Sequence, residues 1–187
     1  MRTGVRQVVL LEGVSDIAAV TAVAATRNVQ LTGVELVDLG GVTNVRRALV
    51  ELHGIRGEVE VLGLCDAPEV RFVEQALRRI GRVVRNSSDL AAHGFFVCRA
   101  DLEDELIRAL GDERTVRVIE RLGLRHKLDT LRQQPAWQDR PLADQLHRFC
   151  GVASGRKELL AAALSAALDP AQVPDPLLQL VERIAAA

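Results

Sequence analysis

Short, nearly continuous apolar runs alternate with helical patterns through the first hundred or so residues, and this constrains the fold more than any other feature. "VRQVVLLE", "GVELVDLGG", "EVEVLGLCD" and "GFFVCR" read as strands. The first and third carry the unbroken apolar content of strands covered on both faces. Between them lie "VSDIAAVTAVAATRN", "VTNVRRALVELHGI" and "APEVRFVEQALRRIG". The first of these has little polarity and reads as a buried crossover helix. The second has Thr43 or Asn44 at its N-cap and Val45, Leu49 and Leu52 on one stripe. The third stops at Gly81. Strands and helices alternating at this spacing predict right-handed βαβ units and a mostly parallel, four-stranded α/β sheet flanked by helices.

Beyond residue 100 or so the strand signal fades. "DLEDELIRALG" has acids in its first turn, which suits the helix dipole. "ERTVRVIERLG", "LADQLHRFCG", "GRKELLAAALSAAL" and "PDPLLQLVERIAAA" follow. The last has Asp175 as N-cap and Pro176 at the first helical position. The expected organisation is an α/β domain over residues 1–111 and a helical appendage over 112–187 that packs on it and contributes a lysine. "RQQPAWQDRP" is a polar loop around Trp137, read as a hydrophobic plug for the helical stretch.

Acids fall where sheet topology puts sites. In open parallel sheets, sites form outside the carboxyl ends of the strands. Glu12 closes the first run, Asp38 sits near the end of the second and Asp66 closes the third. Asp101, Glu103, Asp104 and Glu105 follow the fourth. Asp16 lies one helical turn past Glu12, so a single strand-to-helix turn can hold both. Carboxylates crowded on one edge repel, and burial raises their pKa values further. Divalent cations remove that penalty, and Mg²⁺ takes carboxylate oxygens while keeping several waters. Asp38, Glu58 and Glu60 read instead as turn or strand-edge acids.

Composition excludes several classes. The 187 residues are 48% apolar but only 3% aromatic, with one Trp and no Tyr. A base-stacking platform for single strands is therefore not expected. The formal net charge of -1 gives no whole-chain attraction to nucleic acid. Cys65, Cys98 and Cys150 have no paired spacing and read as buried thiols in a reducing compartment. There is no secretory leader pattern and no apolar run of membrane-spanning length, so a cytoplasmic location with no membrane partner is expected.

These motifs resemble a known family. "VVLLEGVSDIAAVTAVA" is similar to the first motif of the Toprim domain, the catalytic fold of topoisomerases, bacterial primases and OLD (overcoming lysogenization defect) nucleases. The resemblance is strongest over residues 6–111 and is to the OLD type, where the first motif is Glu-Gly-x-x-Asp. "DLGGVTN" matches its Gly-Gly element, "LCDAPE" stands at its Asp-x-Asp, "DLEDELIRALG" matches its later acidic element, and "SGRKELLAAAL" its late lysine segment. One position departs: Pro68 stands at the second Asp, with Glu69 next. Either Glu69 takes over that metal contact, or the position is weakened. The G-x-x-x-x-G-K-[ST] of an ATPase does not occur in this sequence.

The resemblance implies a metal-dependent DNA endonuclease or nickase using two Mg²⁺ or Mn²⁺ ions, working with a separate ATPase subunit. Glu12, Asp16 and Asp66 would serve one metal, Glu103 and Glu105 the second, with Glu69 a further ligand. Glu12, Asp66 and Lys157 would be catalytic, Lys157 stabilising charge on the phosphate. Lys157 is one of two lysines, follows Ser154-Gly155, and has Arg156 beside it as a substitute phosphate clamp. The alternative within the resemblance is a catalytically weak Toprim module, a regulatory or DNA-binding partner, which Pro68 supports. A phospho-receiver domain fits less well, since its acids after the first strand are adjacent. A topoisomerase is excluded by the lack of Tyr. A homodimer through the apolar last helix is left open. The histidines at 53, 93, 126 and 147 form no pattern, and the arginine-rich helix faces read as solvated or as a DNA track.

Overall fold

A computed structural model describes residues 6–54, 59–152 and 156–186. Four strands, β1 (Gln7–Leu11), β2 (Val34–Asp38), β3 (Glu60–Asp66) and β4 (Phe95–Cys98), form one sheet in the order β2-β1-β3-β4. Every pairing is parallel. Among the described residues there are nine α-helices: α1 (Val14–Thr26), α2 (Val45–His53), α3 (Val70–Arg79), α4 (Leu102–Leu110), α5 (Asp112–Arg121), α6 (Arg125–Arg132), α7 (Leu142–Gly151), α8 (Arg156–Ala166) and α9 (Asp175–Ala185). The α/β sheet flanked by helices expected from the sequence is thus present. The helix α6 was not expected, because "RHKLDTLR" has too few apolar residues to show a stripe; Leu128 alone is fully buried there.

Side chains alternate between two apolar layers with the strand period of two. Val9, Leu11, Leu62, Leu64, Phe96 and Cys98 face one layer. Val8, Leu10, Cys65 and Phe95 face the other, where α2 and α3 cover the sheet through Val45, Leu49, Val73 and Leu77. Both faces are covered, which accounts for the unbroken apolar runs. Gly63 lies under Phe95: a Cβ there would sit 2.5 Å from the ring, so only glycine fits.

The helices after residue 111 build the first layer rather than a separate unit. Leu160, Leu164, Leu177 and Leu180 share one apolar cluster with Val9, Leu11, Val20 and Val23. α9 is tied to the sheet by Arg183 Nε, which donates to Glu60 Oε1 at 2.7 Å. Glu60 also accepts from Gln7 Nε2 at 2.8 Å, a structural role. Glu58 lies outside the described residues. At the start of α9, Asp175 is the first helical residue and Pro174 precedes it, one position earlier than expected. At the start of α2, Asn44 does not cap through its side chain; its Nδ2 donates to Leu39 O at 2.8 Å. Cys65, Cys98 and Cys150 are free and buried. Burial pushes the Cys65 and Cys150 thiols up to about 12 and Cys98 higher still. Among the described residues, no helix is long and apolar enough to cross a membrane.

Candidate metal centre

The strand order creates the site. The chain leaves β1 toward β2 on one side, and the next strand, β3, pairs on the other side of β1. The carboxyl ends of β1 and β3 therefore flank a topological switch point, where open α/β sheets place their crevices. Glu12 follows β1 directly and Asp66 ends β3. Beyond Asp66 a single 3-10 turn, Ala67–Glu69, with Pro68 inside it, brings the Glu69 side chain back to the same point. One carboxylate oxygen from each of Glu12, Asp66 and Glu69 lies within 4.8 Å of the others. Pro68 offers no side-chain ligand atom, and Glu69 brings a carboxylate to the same point from the following turn.

The Gly-Gly element holds this turn. Gly40 (φ 63°) and Gly41 (φ 113°) adopt left-handed backbone, which glycine alone takes readily. Gly41 N–H then donates to Glu12 O at 3.0 Å, and Leu39 N–H to Leu11 O at 2.9 Å. The loop after β2 is thereby strapped to the backbone that carries Glu12. Asp38 is exposed and accepts from Gly40 N–H at 2.7 Å, serving this turn rather than the site.

Glu12, Asp66, Glu69, Asp101, Glu103 and Lys157 line a cleft of about 310 Å³, together with Trp137, His147 and Arg148. Glu103 is almost fully buried, and its Oε1 lies 3.3 Å from Lys157 Nζ. Glu103 holds the Lys157 ammonium above the ordinary lysine value even though burial pulls the other way. Ser154-Gly155, ahead of Lys157, lie outside the described residues. Asp16 sits behind Glu12, accepting from Gly13 N–H at 3.2 Å. Its charge is felt by Asp66, Glu69 and Lys157.

The crowding shows in the acidities. Burial, then the neighbouring charges of Asp16, Glu12, Asp101 and Glu69, push Asp66 up to about 8. Burial, then the hydrogen bond and charge of Glu12, push Glu69 to about 7. Burial raises Asp16 to about 6, against the opposing Gly13 N–H. One buried carboxylate oxygen, Glu69 Oε2, accepts no hydrogen bond, while Glu103 Oε1 has Lys157 Nζ within ion-pair distance. A buried oxygen without a donor, in a cleft with five carboxylates, fits a hard divalent cation.

Two expectations need correction. Glu105 does not join the site. It is buried on the far side of α4, accepting from Arg99 N–H at 2.8 Å and paired with Arg108. Residues two apart on a helix project about 200° apart, so Glu103 and Glu105 cannot serve one centre. Arg156 does not clamp the cleft either. Its guanidinium lies over the Phe149 ring, 4.4 Å from the centroid, and donates to Val152 O at 2.9 Å.

Sequence reasoning set Asp101 among the acids after the fourth strand without giving it a role, and it missed His147. Asp101 Oδ1 caps α4 by accepting from Asp104 N–H at 2.8 Å, and its Oδ2 lies 2.7 Å from His147 Nε2. An aspartate just ahead of a helical pattern is a readable cap signal. The pairing with His147, 46 residues away, had no local signal. His93 is remote from the cleft and meets Val83 O.

Comparison with protein-family models finds no match, and none is found among curated proteins. Solved structures do match. The C-terminal region of the Xanthomonas campestris pv. campestris OLD protein is 27% identical, with 97% of this chain and 93% of that chain covered and a TM-score of 0.70. The C-terminal region of the Burkholderia pseudomallei OLD protein shares the fold at 20% identity, with 96% of each chain covered and a TM-score of 0.65. In fold, a Toprim-like parallel sheet flanked by helices, the chain is similar to these C-terminal regions of OLD proteins.

Proposed function

We propose that this chain hydrolyses phosphodiester bonds in DNA with the help of divalent cations. One observation carries the proposal: Glu12, Asp66 and Glu69, from the ends of adjacent strands, converge within 4.8 Å in a cleft that also holds Lys157. Five carboxylates against Lys157 and Arg148 leave the bare cleft negative, so a phosphate enters only when cations offset that charge. Glu12, Asp66 and Glu69 would hold one such ion. Glu103, which lines the same cleft and is shared with Lys157, would help hold a second. When bound, Mg²⁺ or Mn²⁺ supplies charge neutralisation of the phosphate and activation of water for in-line attack.

The chain's own groups have separate tasks. Asp16 braces the turn after β1 through Gly13 N–H and so orients Glu12. Lys157, steered by Glu103, faces the phosphate and stabilises charge that develops on its oxygens. A water oxygen bonds to phosphorus, one P–O ester bond breaks, and the departing oxygen takes up a proton. The proposed partners are DNA and, by the resemblance to OLD proteins, an ATPase on a separate polypeptide.

The test is nicking of supercoiled plasmid with Mg²⁺ or Mn²⁺, with E12A as control and with an OLD-type ATPase added in parallel. Nicking by the wild type that E12A lacks supports the reading. No nicking under any of these conditions leaves the alternative, a Toprim module whose Pro68 has disabled catalysis.

A further inference from the structure

The chain has five aromatic residues, and four are phenylalanines. Phe95, Phe96 and Phe149 are buried in the two apolar layers, and Phe72 packs against one of them. Trp137 is different. It does not belong to the apolar cluster that α6 and α7 build with Leu128, Leu131, Leu142 and Leu146, so it is not the plug expected from sequence. Half-buried, it lines the acid-bearing cleft together with Glu12, Asp66 and Lys157.

The backbone under this ring is fixed in place. Gln145 is 4% exposed, and its amide is fully used. Its Nε2 donates to Trp137 O at 2.8 Å and to Arg140 O at 3.0 Å, while its Oε1 accepts from Arg132 Nε at 2.9 Å. Trp137 N–H donates to Gln134 O at 2.8 Å. A buried polar side chain thus ties the loop backbone at Trp137 and Arg140 to α7. The Arg148 guanidinium lies over the ring, 5.7 Å from its centroid. An aromatic face with an arginine above it is the pairing that holds unstacked bases in single-strand sites.

We propose that Trp137 and Arg148 form a nucleobase-stacking shelf beside the acid cluster, so that the cleft takes an unpaired nucleotide next to the phosphate to be cut. The inference rests on the nucleic-acid reading above and adds the substrate form to it. A base inside a duplex already has both faces covered, so only an unpaired one can lie on the indole. Single strands, gaps and frayed ends would be favoured over intact duplex.

Trp137 is the only tryptophan and there is no tyrosine, so its emission reports on the shelf alone. The wild-type protein, with Ca²⁺ present, is titrated with a short oligothymidylate and with a fully abasic strand of equal length and charge. The shelf predicts that the oligothymidylate quenches the emission and binds about 5- to 150-fold tighter than the abasic strand. By anisotropy of labelled strands, W137A loses this preference and W137F keeps most of it. Equal binding of the two strands, or binding without quenching, overturns the shelf, whether or not W137A folds. Plasmid nicking is scored separately. Quenching without nicking would remove the nuclease reading and leave the shelf; nicking with equal binding would do the reverse.

Discussion

Asp66→Asn should stabilise the metal-free protein at high pH while abolishing its response to metal. Burial and four neighbouring acids hold the Asp66 carboxyl at about 8 instead of 3.8. Between those values the folded chain keeps a proton that the unfolded chain has released. Wild-type stability therefore falls as pH rises through this window, and the deficit is complete only above the folded value. Each pH unit of difference corresponds to about 1.4 kcal/mol, which sets a ceiling of about 6 kcal/mol. Counter-ions and water in the open cleft relieve part of this, leaving about 2 kcal/mol. For a chain of this size that is a gain of about 4–8 °C in Tm. Near pH 5 Asp66 keeps its proton when folded and asparagine matches it there, so only the smaller part of the gain, from ionisation of the unfolded chain, remains; it vanishes below about 3.8. Thermal unfolding in EDTA near pH 5 and pH 9, then with excess Mn²⁺, reads all of this. The wild type should gain stability with Mn²⁺ and gain more at the higher pH, and D66N should gain little at either. A D66N protein less stable than wild type at high pH without metal would refute the claim that uncompensated repulsion resides in this cleft.

The two glutamates of α4 should separate cleanly. E105A leaves Arg99 N–H without its acceptor and Arg108 with only Asp104 of its two carboxylate partners, so it should lower stability by about 1–3 kcal/mol in chemical denaturation. E103Q should change stability by less than about 1 kcal/mol yet weaken Mn²⁺-induced stabilisation, measured by calorimetry. K157A loses only a partly exposed ion pair, worth less than about 1 kcal/mol, but should slow plasmid nicking about 100-fold. G41A meets no steric obstacle, but its φ of 113° makes alanine costly by about 1–3 kcal/mol. Because Gly41 N–H holds Glu12 O, the same variant should also weaken Mn²⁺ binding.

The sheet was legible because its strands are buried on both faces, which leaves Val8 to Leu11 as an unbroken apolar run. The positions of Glu12 and Asp66 followed from the rule that sites gather at strand carboxyl ends. What stayed hidden depended on contacts across long stretches of chain. Trp137 reads as core until Gln145 is seen to pin its loop to the cleft. Asp101 and His147 meet across 46 residues with no local pattern to announce it. The Glu105 expectation failed for a local reason: carrying over an acidic motif as a block ignored that alternate helix positions face apart. Apart from α6, the helices after residue 111 are legible as helices, but their part in the sheet's own apolar layer shows only in packing such as Leu164 and Leu177 with Val9 and Leu11.

Diffraction from crystals soaked in Mn²⁺, recorded at the manganese absorption edge, tests the central claim most directly. The account predicts an anomalous peak within ligand distance of Glu12, Asp66 and Glu69, lost in D66N crystals. A fully soaked crystal with no peak among these three side chains, or with manganese only at other acids, would contradict it.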